Sequence, residues 1–184
     1  ISILFITLFI AACGLSPQTV VIKPELSISE TTPPSPVPAV NLSVTDSRES
    51  PVLGVRGGVY KDTSVIKTEG DITRRVKQEL EMAFNKAGFN VGASSDTHLN
   101  VAITKISYQE IGESRVGKVE TAAEILGTVI KPDGKFSKSY KAKRTKEVLK
   151  APGKEENEQM INAIFSTVVQ RIFEDEELLG KLKH

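Results

Sequence analysis

Val119-Glu-Thr-Ala-Ala-Glu-Ile-Leu-Gly-Thr-Val-Ile-Lys-Pro-Asp-Gly-Lys-Phe-Ser-Lys-Ser-Tyr-Lys-Ala142 is the stretch on which the fold turns. Val119, Ala123, Ile125 and Val129 share one side of an extended chain, and Phe136, Tyr140 and Ala142 share one side of the segment that returns. Between them, Lys131-Pro132-Asp133-Gly134 is a turn: Pro presets the first corner, and Gly accepts the positive dihedral at the last. The stretch therefore predicts a long antiparallel hairpin.

Upstream, Val40, Leu42 and Val44 alternate with polar residues, as do Leu99, Val101 and Ile103, continuing through Ile106 and Tyr108. A period of two marks half-buried strands. Val52 to Ile66 is extended too, but Gly54, Gly57 and Gly58 interrupt it. The period changes after Asp71, where Ile72, Val76, Leu80, Phe84 and Ala87 recur every three or four residues among charges. Asp71 suits an N-cap and Gly88 a C-terminal stop. From about Glu155 to Leu179, Ile161, Ile164, Phe165, Val168, Val169, Ile172 and Phe173 predict one long amphipathic helix. This order of elements implies an α+β domain over residues 39–184, with two helices on one face of a mainly antiparallel sheet. The other face is left to water or a partner, and Glu120, Glu124, Lys138 and Arg144 are expected there.

The N-terminal region has a different composition. Ile1 to Ile10 is apolar but too short to span a bilayer, and Ile10-Ala11-Ala12-Cys13 reads as a lipobox. Residues 1–12 are thus expected to be a signal peptide, truncated because the chain opens at Ile1 and not at Met. Cys13, the single cysteine, would carry the lipid, and multiple acyl chains anchor stably. Gly14 in place of Asp favours the outer membrane over inner-membrane retention. Six of the nine prolines lie between Pro17 and Pro38, so residues 13–38 read as a Pro-rich tether reaching up to about 80 Å. Within it, Thr19-Val20-Val21-Ile22 is apolar enough for a short edge strand.

A 39% apolar content and a net charge of +1 describe a globular body and argue against a nucleic-acid binder. The two histidines, His98 and His184, stand at no metal-ligand spacing, and no cofactor is implied. No nucleophile elbow, zincin helix or phosphate loop is present. Gly54-Val55-Arg56-Gly57-Gly58 reads as a bent strand or loop, not an anion cradle. Asp46 and Arg48 share a strand side and read as a structural pair.

The lipobox, the Pro-rich spacer, Val44-Thr45-Asp46-Ser47-Arg48, the helix ending Lys86-Ala87-Gly88-Phe89-Asn90-Val91, and the strands at 99–108 and 119–129 together resemble the YajG-type lipoproteins of Gram-negative bacteria. The resemblance implies an envelope location and this fold type, and brings no established enzymatic activity.

Between Lys131 and Lys154, nine basic residues face only Asp133 and Glu147. Edge protection of an exposed strand accounts for this density. The functional reading makes Lys135, Lys138, Lys141 and Lys143 a surface for an anionic envelope component. The sequence thus predicts a non-catalytic, lipid-anchored interaction module on the periplasmic side of the outer membrane. Its partners would be the membrane and an envelope protein, peptidoglycan or lipopolysaccharide; an envelope hydrolase is the alternative.

Overall fold

In the computed structural model, residues 15–29, 35–57, 63–92, 94–111 and 117–183 are described. The centre of the fold is strand β6 (His98–Ile111), which pairs antiparallel with β7 (Gly117–Lys131) along almost its whole length. β7 pairs in turn with β8 (Gly134–Val148), and the two are joined at Lys131–Gly134 as the turn residues require. The other edge of β6 is shared. Its first half takes β2 (Ala39–Asp46) and its second half β3 (Val52–Val55), both parallel to it. β4 (Val65–Thr68) pairs antiparallel with β3, β1 (Gln18–Val20) pairs parallel with β4, and the short β5 (Asn90–Val91) lies parallel to β2.

The sheet is therefore mixed and not mainly antiparallel: among the described strands, four of the seven pairings are parallel. The reason is the connection from β2 to β6, which passes through helix α1 (Ile72–Lys86). A crossover of this kind returns the chain in its original direction, which tight turns do not. Asp71 caps α1 by accepting from the Arg74 N–H at 3.0 Å. Ile72, Val76, Leu80, Ala83 and Phe84 are its buried face.

Helix α2 (Lys154–Glu174) packs on β6, β7 and β8 through Ile161, Ile164, Phe165, Val168, Val169 and Ile172. α1 and α2 meet where the rings of Phe84 and Phe173 lie 4.6 Å apart. Their apolar faces and the sheet form one core. The predicted single C-terminal helix is in fact two, because the backbone leaves the helical region at Asp175 (φ −92°, ψ 95°) and restarts as α3 (Glu176–Lys183). The Asp175 carboxylate accepts from the Leu178 N–H at 3.1 Å. The break moves Glu176 and Glu177 from the negative end of one helix to the positive end of the next, which relieves the unfavourable dipole interaction of the acidic run.

The stretch read as a tether is laid on the domain over Gln18–Ser27. Val20, Ile22 and Pro24 are buried and Leu26 is half-buried, an inward alternation of period two. The intervening backbone N–H groups meet one stripe of α2: Val21 donates to Glu158 at 2.9 Å, Lys23 to Asn162 at 2.8 Å, Glu25 to Ser166 at 2.9 Å and Ser27 to Gln170 at 3.0 Å. Asn162 and Gln170 also donate back to the carbonyls of Val21 and Ser27. Two residues of extended chain advance about 6.2–6.6 Å and four helical residues about 6.0 Å, so the strides match.

Three substitutions test this packing by urea denaturation. Phe165 is fully buried, so Phe165→Ala should cost about 3–5 kcal/mol, whereas Met82→Ala at a 58% exposed site should change stability by no more than about 0.5 kcal/mol. Asn162→Ala should cost about 1 kcal/mol and open residues 18–27 to protease ahead of the remaining domain. Equal cleavage rates for this variant and the parent would show that the segment is not held by α2.

Candidate functional site

Alternation along β7 sends Val119, Thr121, Ala123, Ile125 and Val129 toward the helices and Glu120, Ala122, Glu124, Leu126, Thr128 and Ile130 toward the open side. In the β7–β8 register, Glu120 stands opposite Thr145, Glu124 opposite Lys141, Leu126 opposite Ser139 and Thr128 opposite Ser137. The open face consequently carries short polar side chains and paired charges. Lys143 reaches Glu120 at 2.5 Å and Lys141 reaches Glu124 at 3.0 Å; Ser139 donates to Glu124 at 3.0 Å, and Thr128 bonds Ser137 at 3.1 Å. The hydrogen bond from Lys141 holds the Glu124 carboxyl below the ordinary carboxylate range. Pairs this exposed stabilise by only about 0–1 kcal/mol, so they tune the surface more than they support the fold.

The four lysines expected to act together are not brought together. Lys135, Lys141 and Lys143 lie on the open face, whereas Lys138 shares the parity of the buried Tyr140 and lies on the helix side. Arg144 follows Lys138, so the expectation that both would share the wetted face with Glu120 and Glu124 is corrected by the alternation itself. Lys138 lies 2.7 Å from Asp175 and 3.3 Å from Glu177. Tyr140 Oη donates to Asp175 at 2.8 Å. Burial pushes the Asp175 carboxyl up, but the bonds from Lys138, Tyr140 and the Leu178 N–H outweigh it and leave the group below its ordinary value. Burial, followed by the bond to Asp175, pushes the Tyr140 phenol upward. This network fixes the α2–α3 joint. Beside it, Val129, Lys135, Phe136, Glu177 and Lys181 line an open groove of about 550 Å³ between the hairpin tip and α3.

The other singled-out residues have structural roles. Arg48 forks onto Asp46, Nε at 2.8 Å and Nη2 at 2.7 Å, where β2 ends. Gly54 allows the approach to β6, because a Cβ there would stand 1.8 Å from the Tyr108 carbonyl oxygen. Arg56 is turned inward. It donates to the carbonyls of Ser16 at 3.0 Å and Pro152 at 2.9 Å, a clamp that the glycine-rich reading of this loop did not contain. His98 is exposed at the start of β6. Cys13 and His184 lie outside the described residues. Among the described residues, no three His, Cys, Asp or Glu side chains are placed to hold a metal ion, and no helix is long and apolar enough to cross a membrane.

A sequence model of a family described as "Uncharacterized lipoprotein" matches residues 27–183. No curated protein matches the chain. Among solved structures, a Xanthomonas campestris protein assigned to a family of unknown function is 12% identical, covering 86% of this chain and 89% of its own, with a TM-score of 0.45. A minor lipoprotein of Acinetobacter baumannii is 10% identical over 74% of this chain and 84% of its own, with a TM-score of 0.42. A lipoprotein of Neisseria meningitidis is 10% identical over 75% of this chain and 99% of its own, with a TM-score of 0.38.

The Asp175 network makes a pH prediction. A carboxylate whose folded-state value is depressed contributes stability above the unfolded value, about pH 3.9, and loses it as the pH falls through the lower folded value. Asp175→Asn should therefore lower the melting temperature at neutral pH, and its gap from the parent should close on acidification below about pH 4. A gap that widened in acid would reject this assignment.

Proposed function

Because the chain belongs to this family of uncharacterized lipoproteins, we propose that it is a lipid-anchored, non-catalytic interaction module. It is acylated at Cys13 and held at the periplasmic side of the outer membrane, with residues 1–12 removed as signal peptide. The observation that carries the reading is the asymmetry of the sheet: helices and one apolar core cover one face, while the other presents Ala122, Leu126, Ile130 and short hydroxyl side chains among paired charges. Such a surface offers area and hydrogen-bonding groups without a converging acid, base and nucleophile, which suits recognition more than hydrolysis.

The pairing of the lysines also discriminates among partners. Lys138, Lys141 and Lys143 each hold a carboxylate already, so attraction to an anionic polymer is partly cancelled in place. An envelope protein that matches the mixed face therefore fits better than peptidoglycan or lipopolysaccharide. The exposed lysines of β8, which among the described strands pairs with β7 alone, act chiefly as edge protection.

The test begins at the anchor. Expressed from its native gene, the parent should incorporate labelled palmitate and fractionate with the outer membrane, and Cys13→Ser should lose both the label and the membrane association. Label retained by Cys13→Ser would remove the acylation site from this reading. Recovery of the parent in the inner membrane would reject the sorting assignment to Gly14.

A further inference from the structure

One side chain gathers the N-terminal segment and the β8–α2 loop. Arg56, 7% exposed, holds the carbonyl of Ser16 with Nη1 and that of Pro152 with Nη2. A buried guanidinium has five donors and a charge to satisfy, so both segments are fixed at this point. Cys13 lies three residues before Ser16, and three residues of extended chain span at most about 11 Å. Leu149 lies three residues before Pro152 and is bound by the same limit. Ser16, three residues after the proposed lipid attachment, and the β8–α2 loop therefore lie at one end of the molecule.

That loop carries an unusual side chain. Leu149 is 87% exposed, whereas the other exposed large apolar side chains among the described residues, Val37, Val52, Met82 and Ile130, are 38–58% exposed. Lys150 follows it and Lys154 opens α2; both are exposed. Lys146 is paired with Glu156 at 2.8 Å, and Glu155 and Glu156 follow Lys154, so the cations this loop offers are Lys150 and Lys154.

We propose that the β8–α2 loop is a second membrane contact: Leu149 enters the interfacial layer of the bilayer that carries the acyl chains, with Lys150 and Lys154 against its anionic headgroups. An apolar side chain flanked by lysines suits that layer, where hydrocarbon meets charge. The inference rests on Cys13 being the acylated residue. It sets an orientation: the domain stands on the β8–α2 end, and the Lys131–Gly134 turn lies about 45 Å further out, the length of β7. The open sheet face then runs away from the bilayer, within reach of a periplasmic partner.

The chain contains no tryptophan, so Leu149→Trp installs a single indole at the proposed contact, and Ile130→Trp one near the far turn. Each acylated full-length chain is reconstituted into vesicles of phosphatidylethanolamine and phosphatidylglycerol with brominated acyl chains. Leu149→Trp should emit blue-shifted and lose most of its intensity to the bromines, and Ile130→Trp should do neither. Adding Lys150→Gln and Lys154→Gln to Leu149→Trp should weaken the quenching. A palmitate-labelled Leu149→Trp chain that floats with the vesicles yet emits as a water-exposed, unquenched indole overturns the loop contact and leaves the anchor standing. Quenching of Ile130→Trp instead overturns the orientation and the contact together. A chain that neither takes up label nor floats overturns the acylation reading, and the loop contact with it.

Discussion

Strand β6 must satisfy two edges over 14 residues, and this requirement arranges the rest of the sheet. β7 fills one edge almost completely. Among the described strands none upstream is long enough for the other, so β2 takes the stretch opposite His98–Ile103 and β3 the stretch around Tyr108 and Gln109. The chain must step from one to the other across the gap. Ser47 N–H donates to the Ile103 carbonyl at 2.9 Å as the last bond of the first stretch, and the Asp46–Arg48 fork closes the corner just after it. The register shift between Ile103 and Lys105 falls at the same point. A bulge there bends β6 where its partner changes, and it accounts for buried positions that run 99, 101, 103 and then 106 and 108.

Elements governed by local rules were legible in the amino-acid sequence. The Lys131–Gly134 turn, the capped α1 and the apolar stripe of α2 stand where their residues indicate. The parallel pairings were not legible, because alternation reports which face of a strand is buried and is silent on which strand lies beside it. The division of the last helix was written in Glu174-Asp175-Glu176-Glu177, whose charge is misplaced at a C-terminus and suits an N-terminus. Gln18–Ser27 shows a subtler limit. The prolines around it suggest a free spacer, yet Val20, Ile22, Pro24 and Leu26 alternate inward, and α2 carries Glu158, Asn162, Ser166 and Gln170 at intervals of four to receive it. That stripe is of acceptors more than of salt-bridging charges, which distinguishes a docking groove for backbone from an ordinary solvated face.

At the candidate site, counting lysines concealed what parity would have separated. Positions 135, 141 and 143 fall on one side of β8 and position 138 on the other, and the carboxylates that pair with Lys138, Lys141 and Lys143 come from β7 and from the α2–α3 joint. A charge density along one strand acquires meaning only with its cross-strand neighbours. Arg56 illustrates the converse. Nothing in its glycine-rich surroundings signals that its partners are carbonyls 40 and 96 positions away.

The match in stride between Gln18–Ser27 and α2 also bears on how the domain answers to force. A pull on the chain at Ser16, directed along the segment, meets the β1–β4 pairing and the four backbone-to-side-chain bonds side by side, so they share the load in shear and must give way together. The same bonds pulled outward from Ser29 would break in succession, each bearing the load alone. A domain tied in this manner resists tension from its N-terminal side far better than peeling from within the proline-rich stretch.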